Sequence, residues 1–154
     1  MTVDLRRMNE TIQPADGFEV REVMDEETLR IWANIFVNGY GLPFDWEALT
    51  FDLWIKFGFD FPFRGYLGYL DGKPVSTSCI IFGGGAAGIY NVSTLPEARG
   101  KGLGAAITLK SLQDAREMGY RISVLQSSDM GFNIYKKLGF RHLCQVENFY
   151  LSPQ

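Results

Sequence analysis

The chain has 154 residues, 46% hydrophobic and 21% charged, a size and apolar content that suit one packed domain. Its net charge of −3 and isoelectric point near 5.2 argue against a nucleic-acid binder, which needs a basic surface to neutralise phosphates. No apolar run reaches 18 residues and no basic stretch leads into an apolar N-terminal core, so a cytoplasmic protein with no membrane partner is expected.

Residues 1–16 are polar, lead into Pro14-Ala15-Asp16-Gly17, and read as a flexible N-terminal arm before a single domain over 17–154. Phe18, Val20 and Val23 suggest a first strand. Asp25 is a candidate N-cap for a helix in which Leu29, Trp32, Ala33, Phe36 and Tyr40 recur at helical spacing up to Gly41. A second helix is predicted with Leu49, Leu53, Trp54 and Phe57 on its inner side, ended by Gly58 and Pro62. Two strands, 65–70 and 75–82, flank the hairpin signal Asp71-Gly72, and Gly83-Gly84-Gly85 turns the chain into a strand over 88–94.

After a glycine loop, Leu103, Ala106, Ile107 and Met118 fit a helix that stops at Gly119. Ile122–Leu125 is a short buried strand, parallel to 88–94 because a helix crosses between them. A helix around 132–138 ends at Gly139, and 140–142 with 146–151 form a last hairpin. Cys79 and Cys144 stand apart in apolar surroundings and read as buried free thiols, and the single histidine, His142, is expected to be structural or on the surface. With no clustered ligands, no metal site is expected.

The loop Arg99-Gly100-Lys101-Gly102-Leu103-Gly104-Ala105 carries the most information. Alternating glycines let backbone N–H groups crowd around one point, and the following helix adds its unpaired N-terminal donors and the positive end of its dipole. Such a turn holds an anion, most often phosphate. A Walker loop would end in Gly-Lys-Ser/Thr, whereas Gly104 is followed by Ala105 and Ala106. Gly100, Gly102 and Ala105 match the dinucleotide pattern, but Pro96-Glu97-Ala98 before them is not a strand, and strand 122–126 ends in glutamine rather than an acid. Arg99, Gly102 and Gly104 satisfy a third pattern, Arg/Gln-x-x-Gly-x-Gly/Ala.

With that motif the sequence resembles the GNAT superfamily of acyl-CoA-dependent N-acyltransferases, in which it wraps the pyrophosphate of coenzyme A. Two further segments are similar to family elements, in the family's order. Ile89–Pro96 looks like the strand that pairs with the pantetheine arm, and Ile134-Tyr135-Lys136-Lys137-Leu138-Gly139-Phe140 resembles the signature Leu/Ile-Tyr-x-x-x-Gly-Phe. The resemblance covers about residues 63–151. It implies an α+β (α/β) GNAT fold, with a mixed, mostly antiparallel sheet of six to seven strands flanked by helices and splayed between the fourth and fifth strands of this reading, 88–94 and 122–125. It also implies acetyl-CoA as cosubstrate, with no metal, bound by the backbone of Val92, Ser93 and Thr94, by Arg99, Gly100, Lys101, Gly102, Leu103 and Gly104, and by Ser128.

Tyr135 is the candidate catalytic residue, a phenol suited to protonate or hydrogen-bond the leaving sulfur. Ser128 stands where the family often has asparagine, and Gly131 where alanine is frequent. The strand 89–94 lacks the glutamate that many relatives use as a base, so the base is unassigned. Thirteen of the 22 aromatic residues fall between Trp32 and Tyr69; most are expected in the core, with some lining an acceptor pocket, and Asp45, Glu47, Asp52 and Asp60 lie in the same stretch. The reading is an acetyl-CoA-dependent N-acetyltransferase acting on a primary amine of a small molecule or peptide. The alternative is an inactive GNAT-fold acyl-CoA sensor or regulatory module. Monomer and homodimer both stay open.

Overall fold

A computed structural model describes residues 1–147 and 149. Six strands among them, β1 (Thr2–Asp4), β2 (Phe18–Glu22), β3 (Phe63–Leu70), β4 (Lys73–Gly83), β5 (Ala86–Thr94) and β6 (Ile122–Leu125), make one sheet in the order β1-β6-β5-β4-β3-β2. Every neighbouring pair is antiparallel except β5 and β6. Four α-helices, α1 (Glu26–Tyr40), α2 (Trp46–Trp54), α3 (Leu103–Glu117) and α4 (Asp129–Lys137), and two 3-10 turns, Ile55–Phe57 and Pro96–Ala98, complete the described elements. The predicted α+β sandwich of a mostly antiparallel sheet between helices is what forms.

Local chemistry explains several boundaries. The Asp25 side chain accepts the Thr28 N–H at 2.8 Å and the Thr28 hydroxyl reaches back to the Asp25 N–H, a capping box that starts α1 where the sequence suggested. Gly41, at φ 67°, closes the same helix in the left-handed conformation. Asp71 and Gly72 both adopt positive φ, the geometry a two-residue hairpin between β3 and β4 requires.

The sheet has a core on each face. On one, α1 and α2 bury Trp32, Ala33, Phe51 and Trp54 against Phe63, Leu67 and Cys79. On the other, α3 buries Ile107 and Leu112 against Tyr66, Ile80 and Ile89. Polar contacts fix both layers: Trp32 Nε1 donates to the Ser78 carbonyl at 3.1 Å, the Ser78 and Ser111 hydroxyls lie 2.7 Å apart, and the Tyr66 hydroxyl donates to Asp114 at 2.9 Å. Such buried partners cost little when satisfied and a great deal when one is removed.

Four sequence expectations are corrected. Residues 1–8 are not a loose arm: β1 pairs with β6, the Thr2 N–H bonds the Arg141 carbonyl at 2.9 Å, and Val3, Leu5 and Met8 are buried in the core beneath α3. Glu10 continues the attachment by pairing with Arg116 of α3 at 2.6 Å. The last hairpin does not form over 140–147, where only Arg141 bridges, to Thr2; the rest of that expected strand, apart from Phe149, lies outside the described residues. On α2 the buried side chains are Thr50, Phe51 and Trp54, while Leu49, Leu53 and, just beyond, Phe57 are exposed. A helix apolar on two sides gives the periodicity no way to choose the inner one. Cys79 is buried, but Cys144 is exposed; both are free.

Candidate active site

The site begins where β5 and β6 part. Their parallel pairing runs from Ala86–Ile122 to Ile89–Leu125 and stops, while β5 continues alone on that side through Tyr90, Asn91, Val92, Ser93 and Thr94. A bulge accompanies the split: Cys79 of β4 faces Tyr90 and Thr77 faces Ser93, so β5 carries one residue more than β4 over this stretch. Asn91 sits there at φ 52°, a conformation that asparagine tolerates better than most residues. The consequence is a length of β5 backbone with no strand on the side of β6, the predicted splay.

Directly after β5, a 3-10 turn over Pro96–Ala98 and the glycine loop bring the chain to α3. Gly100 and Gly102 have φ of 79° and 75°, and a Cβ added to either would meet nothing within 4 Å. Backbone conformation rather than crowding therefore requires glycine, and the space in front of the loop is open. The first bond of α3 runs from the Ala106 N–H to the Gly102 carbonyl at 3.1 Å, no side chain caps the helix, and its first turn holds no acid. The N–H groups of Leu103, Gly104 and Ala105 thus precede the helical ladder, with the dipole's positive end behind them. This donor set fits the pyrophosphate of a nucleotide-type ligand.

The other predicted residues divide between backbone and side-chain duties. Leu103 is 1% exposed, its side chain packed with Val75 and Ala98, so only its backbone faces the loop. Ser93 is buried and its hydroxyl reaches the Ile35 carbonyl of α1 at 3.4 Å. Arg99 turns inward: Nε donates to the Thr94 carbonyl at 3.1 Å and Nη2 to the Gly39 carbonyl at 2.6 Å. Its guanidinium ties the end of α1 to the end of β5. Lys101 is exposed. Ser128 caps α4, accepting the Gly131 N–H at 3.3 Å.

Tyr135 lies on α4, packed edge-on against Phe140 with centroids 5.9 Å apart. Burial pushes its phenol above the ordinary tyrosine range, and the nearby Tyr40 adds to the shift. Its hydroxyl makes no hydrogen bond to another side chain or backbone group among the described residues. The glycine at 131 now has a reason: a methyl there would come within 2.8 Å of the Tyr135 ring, so alanine would displace the phenol.

Tyr40 was counted in the sequence as part of a helical stripe and of the aromatic stretch, with no role of its own. Its hydroxyl donates to the Val92 carbonyl at 3.1 Å, its ring packs on Phe36 at 5.1 Å, and the residue remains 52% exposed. Burial of the hydroxyl end raises its ionisation above the usual range, with Cys79 adding to the effect. Close packing holds the last turn of α1 there: a Cβ on Gly39 would fall 1.8 Å from the Ser93 hydroxyl. No local pattern announces this role, because it depends on where α1 ends relative to a distant bulge. A separate groove of about 470 Å³ lies between α1 and α2, lined in part by Arg30, Phe44, Asp45, Glu47 and Phe51. It shares no residue with β5, α3 or α4. Glu47 in its wall accepts from Asn34 Nδ2 at 2.8 Å, and the Arg30 guanidinium lies 3.9 Å from the centre of the Phe51 ring.

Residues 85–143, which hold β5, the loop, α3, β6 and α4, match the family model for an acetyltransferase (GNAT) domain. The fold is that of the GNAT acetyltransferases. A predicted acetyltransferase from Clostridium acetobutylicum, solved with acetyl-CoA, superposes with a TM-score of 0.71 at 17% identity, over 86% of this chain and 96% of that one. A GCN5-related N-acetyltransferase from Kribbella flavida gives 0.69 at 25% identity over 91% of this chain, which spans only 52% of that longer one. An aminoglycoside acetyltransferase from an uncultured soil metagenomic sample, in complex with trehalose, gives 0.69 at 16% identity, over 91% and 99%. No curated protein matches. Among the described residues no group of three or more histidine, cysteine or acidic side chains could hold a metal ion, and no helix is long and apolar enough to cross a membrane.

Proposed function

We propose that the protein is an acetyl-CoA-dependent N-acetyltransferase that acetylates a primary amine of a small molecule or peptide. The observation that carries this reading is the continuity of the β5 edge that β6 leaves uncovered with the uncapped start of α3. An extended arm ending in a pyrophosphate needs both, in that order. Acetyl-CoA supplies, when bound, an acyl group already activated as a thioester. The chain's own work is then modest: Val92, Ser93 and Thr94 offer backbone partners to the arm, the N–H groups of residues 100–105 hold the phosphates, and Tyr135 gives its hydroxyl proton to the departing sulfur. Because burial keeps Tyr135 protonated well past neutral pH, it is a donor throughout the working range.

The absence of a carboxylate on β5 favours a second reading, an acyl-CoA-binding regulatory module without turnover. Release of free thiol from acetyl-CoA, followed against a panel of primary amines, separates the two. Amine-dependent release supports the enzyme. Saturable acetyl-CoA binding with no release for any amine leaves the regulatory module.

A further inference from the structure

The two tyrosines of the cleft differ in what their hydroxyls have free. The Tyr40 hydrogen is committed to the Val92 carbonyl, which leaves its oxygen lone pairs as the available function. The Tyr135 hydrogen has no partner among the described residues, which leaves it a donor. They come from opposite walls of the split sheet, Tyr40 from the last residue of α1 and Tyr135 from α4, and are close enough for one to oppose ionisation of the other. Among the described residues these walls carry few carboxylates: β5 has none, the last two turns of α1 have none, and the acid of α4, Asp129, is exposed in its first turn, while Lys136 and Lys137 follow Tyr135.

We infer that Tyr40 receives the acceptor, its hydroxyl oxygen accepting a hydrogen bond from the amine N–H, and that this acceptor is a weakly basic primary amine, such as the α-amine of an amino acid or peptide, which arrives uncharged. The inference rests on the acetyltransferase reading and supplies what that reading lacks, a reason for the missing base. With a neutral amine the step balances without one. The nitrogen lone pair forms the C–N bond, the C–S bond breaks, one proton leaves nitrogen for water, and one passes from Tyr135 to sulfur and is restored from water. An ammonium would have to lose a further proton first, and neither β5 nor the last two turns of α1 carries a carboxylate to take it. The titratable groups that bear on Tyr40 are Cys79 of β4, Tyr135 of α4 and the guanidinium of Arg99 beside Gly39. Burial holds the Cys79 thiol and the Tyr135 phenol above their ordinary ranges, and Arg99 is occupied by two carbonyls. The pH dependence between 6 and 9 therefore belongs to the amine.

The test uses two dipeptide amides, one with a free α-amine and no lysine, the other N-blocked with a free lysine ε-amine. Ordinary values of about 8 and about 10.4 make the neutral fraction at pH 7 differ by more than about 100-fold. The greater nucleophilicity of the stronger base offsets only part of that, so kcat/KM should favour the α-amine by at least about tenfold and the gap should narrow toward pH 9. Tyr40→Phe, which keeps the ring on Phe36, should raise KM for the α-amine about tenfold, a larger change than any in calorimetric acetyl-CoA affinity. Equal or better use of the ε-amine at pH 7, or unchanged amine kinetics in Tyr40→Phe, overturns the inference and leaves the acetyltransferase reading standing. No transfer to any amine by the unmodified protein overturns both.

Discussion

Tyr135 owes its chemical state to its neighbours. Packing against Phe140 desolvates the phenol, and removal of the hydroxyl by Tyr135→Phe keeps that packing while deleting the proton donor. Turnover should fall about 100-fold, the scale of a lost general acid, with acetyl-CoA affinity little changed. Steady-state kinetics beside a binding titration checks this, and undiminished kcat would remove Tyr135 from the reaction. Gly131→Ala provides an independent approach, since its methyl would press on the same ring at 2.8 Å. It should depress kcat without touching the phosphate loop. At this scale the sequence was partly legible. Tyr135 and the loop glycines could be picked as candidates because their spacing is local. The bond from Tyr40 could not, because its partner Val92 lies 52 residues away, nor the one from Arg99, whose partner is the Gly39 carbonyl of α1.

Among the elements, α3 and α1 carry the clearest consequences. Gly102 opens α3 at φ 75°, so Gly102→Glu strains the backbone by about 1–2 kcal/mol and sets a negative charge at the dipole's positive end. Acetyl-CoA affinity should drop at least tenfold in calorimetry, whereas Gly102→Ala, whose Cβ meets open space, should keep measurable binding. At the start of α1 the Thr28 N–H and hydroxyl hold the Asp25 carboxyl below its usual value. A folded value below the unfolded one means that this stabilisation is present above about pH 4 and is lost as pH falls through the folded value. Asp25→Ala should lower the melting temperature at pH 7, and the difference from the unmodified protein should shrink below pH 4. The capping box and the Asp71-Gly72 hairpin were readable from sequence because each is fixed within four residues. The inner face of α2 was not, since Leu49 and Leu53 are as apolar as Phe51 and only the tertiary partner decides which is covered.

The whole molecule is a sheet opened on one side, and its ends are set by long-range pairing. β1 is three residues long, too short for any alternation to reveal, and it forms because Thr2–Asp4 finds β6 and Arg141 some 120 residues away. Leu5, fully buried just after β1, makes the attachment testable: Leu5→Ala should cost about 2–5 kcal/mol in denaturant unfolding, where a loose arm would show no change. The splay was legible through the resemblance to the family's fold, and the parallel pairing of 122–125 with 88–94 through the helix that crosses between them. That opening is where an extended ligand can pair with β5 and end on α3. The most direct measurement is therefore calorimetric titration with acetyl-CoA, using adenosine as the control ligand and Gly102→Glu as the control protein. Saturable binding that adenosine does not reproduce and Gly102→Glu loses is the predicted result; no saturable heat at millimolar acetyl-CoA would contradict the account.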